Sequence, residues 1–217
     1  MVKGDELMQK CDDSKTGVAI STVFGVAIGA IPIVGPFLSA LDNGLSFRKV
    51  HERLNILSEK LEQLQVNEID KAFFETDEGY DFLRTTLFCV AQSRSEDKIE
   101  RFAKIAKGVI KDDVLSVSEG ETYISIVNEA NDEEIVLLSA LYNKGLIKGI
   151  NPNPEAEDSD FNSVFIETNI VSYKKDFIMK RLERLGTLKM DTMLIGGGVI
   201  YSFTEMGVKF IQFLNHR

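Results

Sequence analysis

Tryptophan is absent, and histidine is reduced to His51 and His216. Indole stacking on nucleic-acid bases is therefore excluded, and little is left for imidazole chemistry. Cysteine occurs twice, as Cys11 and Cys89, with no short metal-type spacing, which excludes a zinc ribbon and a disulfide framework. Cys89 lies in the apolar run Leu87-Phe88-Cys89-Val90-Ala91 and reads as a buried, inert thiol. Met1 to Lys10 is polar and lacks the apolar run of a secretion signal, so a reducing cytoplasm is the expected compartment. Positive charge is in deficit, with 25 Lys and Arg against 34 Asp and Glu and a net charge of −9. Such a surface does not grip nucleic acid as a whole. A local basic face remains open.

What is present is 217 residues, enough to bury a core without crosslinks or metals, in one large domain or two small ones. Thr16 to Leu41 carries no charge, between Lys15 and Asp42. By length this stretch reaches the transmembrane threshold. Pro32 and Pro36 argue against one straight span, because each removes a helical donor and clashes with the preceding turn. The arm Gly17 to Ile31 extends only about 22 Å as a helix, short of the roughly 30 Å hydrocarbon core. Ile31-Pro32-Ile33-Val34-Gly35-Pro36 reads as a turn, with Pro36 opening the next helix. An apolar helical hairpin over residues 16–66 is the expectation. Its second arm continues as the stripe Leu54, Leu57, Leu61 and Leu64, and ends near Gln65 to Asn67.

Further helices complete an N-terminal bundle over residues 1–130. Tyr80, Leu83, Leu87 and Val90 or Ala91 make one apolar face. Ser95 caps a helix with core positions Ile99, Phe102, Ala103, Ala106 and Ile110. Ser118 with Glu121 has capping-box spacing.

Residues 131–217 change character. Asn131 and Glu134 again have capping-box spacing, and the helix they open breaks at Gly149 to Pro154, before the acidic loop Glu155 to Asp160. A short helix is expected over Asn162 to Ile170. Ser172 caps Tyr173 to Leu185, and Gly186 ends that helix. Leu188 to Ile195 and Val199 to Phe203 flank Gly196-Gly197-Gly198 as a β-hairpin, and Thr204 caps a last helix with Met206, Phe210, Ile211 and Leu214. The fold class is mainly α: a helical bundle with an apolar hairpin, then a small α+β domain.

Leu182-Glu183-Arg184-Leu185-Gly186, Tyr201-Ser202-Phe203-Thr204-Glu205-Met206-Gly207 and Phe210-Ile211-Gln212-Phe213-Leu214 resemble the wing and last helix of winged-helix domains. The resemblance covers the last third of the chain and implies a fold whose members bind DNA, RNA or protein. The whole chain also resembles, loosely, uncharacterised bacterial proteins that place an Ile-Pro-x-x-Gly segment before a long charged helix. Some of that layout are associated with abortive-infection defence against phage. Ile31-Pro32-Ile33-Val34-Gly35 is the stretch that matches, and it is a structural turn.

Two groups of residues are candidate sites. Gly17, Ser21, Gly25 and Gly29 recur every fourth residue, so one helical face lets another backbone approach closely. With Pro32, Gly35 and Pro36 they form a candidate membrane or self-association element. The same ladder also serves a helix packed inside a soluble bundle, and both readings stand. Lys174, Lys175, Lys180, Arg181 and Arg184 make the helix before the hairpin locally basic, as phosphate contacts require. A solvated helix face is the plain alternative. No catalytic constellation is legible. Gly196-Gly197-Gly198 lacks the Lys-Ser/Thr of a phosphate loop. The acidic pairs Asp12-Asp13, Asp112-Asp113 and Glu133-Glu134 suit caps and loops. No metal, cofactor or small-molecule substrate is expected.

The leading expectation is a non-enzymatic bacterial protein that acts through protein contacts, as a homo-oligomer or with another protein. It would associate conditionally with the inner membrane or self-assemble, in stress or phage defence. The alternative is a winged-helix transcription regulator. Replacing Gly25 and Gly29 by Leu tests the ladder. Assembly, read by sedimentation, is lost if the small-residue face mediates it, and unchanged behaviour returns those glycines to core packing.

Overall fold

A computed structural model describes residues 47–61, 73, 76–111, 114–146, 159–193 and 199–216. The ladder residues Gly17, Ser21, Gly25 and Gly29, the turn residues Pro32, Gly35 and Pro36, and the glycine triplet 196–198 lie outside them. Among the described residues the chain is mainly helical, with one small antiparallel hairpin near its C-terminus. It divides into two compact units, the first ending at Asn128 and the second running Glu129–Arg217. No described helix is long and apolar enough to cross a membrane.

The first unit contains α1 (Phe47–Leu61), α2 (Asp77–Gln92), α3 (Glu96–Ile110) and α4 (Val117–Glu129), whose last residue, Glu129, already belongs to the second unit. Val50, Leu54, Leu57 and Leu61 recur at steps of four and three, so they fall on one face of α1, and all four are buried. α1 packs on α2 and α3. Arg53 donates to the Ala91 carbonyl at the α2 C-terminus, and Lys60 pairs with Glu100 of α3. Ser95 caps α3, its hydroxyl accepting from the Lys98 N–H at 3.3 Å. Ile99, Phe102, Ala103, Ala106 and Ile110 are all buried. Burial pushes the Cys89 thiol up from its ordinary range, which lowers its reactivity.

Two expectations for this unit are corrected. The buried face of α2 carries Phe82, Leu83, Thr86 and Val90, whereas Tyr80 is exposed. Thr86 can point inward because its hydroxyl donates to the Phe82 carbonyl one turn back at 2.9 Å. The cap of α4 is Ser116 with Glu119, not Ser118 with Glu121. The Ser116 hydroxyl accepts from the Glu119 N–H, and the Glu119 carboxylate accepts from the Ser116 N–H and hydroxyl. Ser118 lies inside the helix, its carbonyl accepting from the Thr122 hydroxyl. Packing selects that start, since it sets Gly120 against Val109 and Phe82, where a Cβ would come within 2.3 Å of Val109.

The second unit contains α5 (Asp132–Asn143), α6 (Ser159–Glu167), a 3-10 turn (Ser172–Lys174), α7 (Lys175–Arg184), β1 (Leu188–Met193), β2 (Val199–Phe203) and α8 (Glu205–Asn215). α5 ends at Asn143, earlier than the Gly149 to Pro154 break. Gly145 takes φ +74° and the Leu146 N–H closes onto the Leu141 carbonyl, so a left-handed glycine cap ends the helix first. α6 ends at Glu167 rather than running on to Ile170, because Asn169 adopts φ 56° and the Ile170 N–H returns to the Phe165 carbonyl. α7 starts at Lys175, behind a 3-10 turn, instead of at Tyr173. Gly186 ends it with φ +73°, as its position implies. β1 and β2 pair antiparallel from Leu188↔Phe203 to Met193↔Val199, with an irregularity between Met190 and Thr192.

The junction of α7, β1 and α8 is the tightest part of this unit. The Thr187 N–H and hydroxyl both bond the Leu182 carbonyl at the end of α7. Thr204 caps α8 through the Gly207 N–H at 2.9 Å, and its own hydroxyl donates to the Gly186 carbonyl at 2.6 Å. Gly207 lies against the Thr187 carbonyl, where a Cβ would sit 2.0 Å from the oxygen. Helix propensity alone favours alanine over glycine by about 1 kcal/mol. We predict the opposite sign at this site: Gly207→Ala destabilises by at least about 2 kcal/mol in urea unfolding. Gly145→Ala, where no atom lies within 4 Å, costs only the left-handed strain of about 1 kcal/mol. Equal costs would show that the close approach is not rigid.

Candidate interaction surface on α7

Helix α7 and the turn before it carry all five candidate basic residues, and the fold sends them in two directions. Ile178, Met179 and Leu182 are buried, which fixes the rotation of the helix about its axis. Lys175 shares that inner side, is buried, and holds its Nζ 4.6 Å from the centre of the Phe165 ring. Lys174 pairs with the Glu133 carboxylate at 3.2 Å. Arg181 reaches Glu134, its Nε lying 2.9 Å from Oε1.

The Arg181–Glu134 contact is the most constrained of these. Glu134 is only 1% exposed, so its carboxylate has left water and needs compensation. Oε2 accepts from the Asn131 N–H at 2.8 Å, closing one half of a capping box at the start of α5. Oε1 faces Arg181 Nε without forming a hydrogen bond, so the attraction there is Coulombic. The other end of the guanidinium donates through Nη2 to the Glu129 carbonyl at 2.8 Å. Asp132, Glu133 and Glu134 fill the first turn of α5, where the helix dipole favours them. They also attract the cations of α7. Glu133 and Glu134 therefore do more than the capping and helix-dipole roles that their position suggests.

Lys180 and Arg184 point outward and are exposed. Beside them stand two aromatic rings that sequence reasoning did not single out, Tyr173 at 81% and Phe177 at 61% exposed. Arg181 passes over Phe177 at 5.8 Å, leaving the rest of the ring open. Val171, just upstream, is also exposed. The signal for this face was available in the sequence. Once Ile178, Met179 and Leu182 mark the inner side, positions 173, 177, 180 and 184 fall on the outer one. Asp176, exposed on the flank, offsets one of the two outward cations.

The remaining perturbed groups do not assemble a reactive centre. Burial pushes the phenols of Tyr123 and Tyr201 up, helped by Glu119 in the first case and by Glu183 and Asp176 in the second. Burial moves Lys104, on α3, down. Among the described residues there is no group of three His, Cys, Asp or Glu placed to hold a metal ion. His216 is exposed, and the side chain of His51 lies outside the description. Comparison with family models, curated proteins and solved structures returns no match.

The ion pairs differ in burial and should differ in weight. Removing the carboxylate by Glu134→Ala strands Arg181 and should cost about 3 kcal/mol in urea unfolding. Lys174→Ala breaks an exposed pair and should cost less than about 1 kcal/mol. Comparable losses would mean that the Glu134 contact is not the anchor of α7.

Proposed function

We propose that this chain is a non-enzymatic interaction protein whose second unit, a winged-helix-like domain, makes protein contacts through the outer face of α7. The observation that carries this reading is the exposure of Tyr173, in the turn before that helix, and of Phe177 on it, while Lys175 is buried and Lys174 and Arg181 are paired with carboxylates of their own unit. Solvent-facing aromatic rings are costly to leave in water and are typical anchors of protein interfaces. The order α5, α6, α7, hairpin and α8 supports the winged-helix-like assignment. The loose resemblance to bacterial proteins of abortive-infection type makes stress or phage defence the proposed setting. The glycine ladder of residues 17–29 remains the proposed element for conditional membrane association or self-assembly.

Transcription regulation by duplex DNA is the second reading, and Lys180 and Arg184 favour it as exposed cations on the same helix. Two outward cations against Asp176, on a chain of net charge −9, leave little for phosphate neutralisation. Protein contact therefore has the stronger support.

A photo-crosslinking amino acid at position 177, incorporated in cells, tests the choice. Protein adducts at 177, absent when the probe replaces buried Phe165, are the expected result. No protein adduct, together with a duplex-DNA shift that weakens steeply with salt, would overturn the proposal in favour of the regulator.

A further inference from the structure

The outer stripe formed by α7 and the 3-10 turn before it has a symmetry of its own. Tyr173, Phe177, Lys180 and Arg184 follow one another at intervals of four, three and four residues. Read backwards, the spacing is the same. The first two members are aromatic and the last two cationic. Two such stripes laid antiparallel, about a twofold axis between positions 178 and 179, bring unlike members together. Tyr173 meets Arg184 of the second copy, and Phe177 meets Lys180 of the second copy, each contact occurring twice. Guanidinium or ammonium over an aromatic face is attractive, more so as water leaves. A parallel arrangement would instead set cation on cation.

The flank of the helix fits the same register. Asp176 is exposed beside the stripe, and in the antiparallel arrangement it falls next to Lys180 of the second copy. It thereby relieves the repulsion between the two Lys180 ammonium groups near the axis. Self-complementarity of this kind is what a twofold interface demands, since the same patch must serve both partners.

We propose that the exposed face of α7 is a homotypic docking surface and that its occupant is a second copy of this chain, packed antiparallel. The proposal rests on the protein-contact reading above and specifies its partner. An acidic peptide would answer Lys180 and Arg184, yet it would leave Tyr173 without a cation and Phe177 with only Arg181 of its own chain. The second copy satisfies all four. α7 is only about 15 Å long, so the contact falls in the small, transient class below about 1,200 Å². The dimer is therefore concentration-dependent, with a dissociation constant in roughly the micromolar range.

Sedimentation velocity of the purified full chain across a concentration series tests it, with circular dichroism to verify folding. The wild type should pass from monomer to dimer. Phe177→Lys sets cation against cation and should weaken dimerisation by about tenfold or more. Adding Lys180→Phe to that variant exchanges the two inner members of the stripe, so ring again meets ammonium and the dimer should return. Such rescue requires the antiparallel register and no other. A wild type that stays monomeric throughout overturns the proposal, as does a Phe177→Lys variant that dimerises like the wild type. So does a double variant that stays as weak as Phe177→Lys alone. In any of these cases, protein adducts at position 177 to a different protein would leave the protein-contact reading intact.

Discussion

The electrostatic anchor between Glu134 and Arg181 sets the character of the second unit. Glu134 has given up water almost completely, and an uncompensated carboxylate in that position would cost several kcal/mol. Compensation comes from the Asn131 N–H on one oxygen and from the guanidinium beside the other. Because Arg181 also bonds the Glu129 carbonyl, the rotation of α7 about its axis is constrained. Ile178, Met179 and Leu182 then face the core, and the opposite stripe has nowhere to go but outward. Tyr173 and Phe177 are exposed because they lie opposite the buried apolar residues.

That arrangement changes how the basic helix should be read. Five Lys and Arg residues in and before one helix suggest a grip on phosphate. Three of them meet carboxylates or an aromatic ring of their own unit instead. The electrostatic work of α7 is thus mainly internal, binding it to the acidic first turn of α5. What is left for a partner is two cations beside two rings, a mixture suited to protein contact.

Short-range signals were legible in the residues. Ser95, Thr204 and Gly186 perform the terminating roles that their positions suggest, because each acts on backbone groups within one turn of itself. The inner face of α3 follows from periodicity alone. Less was legible where a distant neighbour decides. Ser116 displaces Ser118 as a cap because Gly120 must meet Val109 and Phe82. On α2, Phe82 and Thr86 join Leu83 and Val90 inside while Tyr80 is left out, since a hydroxyl bonded one turn back can be buried. Glu134 was legible as the capping-box partner of Asn131 but not as the counter-ion of Arg181, which lies two helices and a turn further along the chain. Gly207 carries its reason only in three dimensions, as the position where α8 crosses the Thr187 carbonyl.

Helix α7 turns Lys175 inward and Lys180 outward, and amine acetylation of the native chain followed by mass spectrometry tests this most directly. Done at dilute concentration, the measurement compares two lysines of one helix in one sample. Lys180 should acetylate at the rate of a solvated amine, and Lys175, over the Phe165 ring, should lag far behind until the chain is unfolded in urea. Equal rates in the native protein would contradict the inward anchoring of α7 and, with it, the exposed aromatic face.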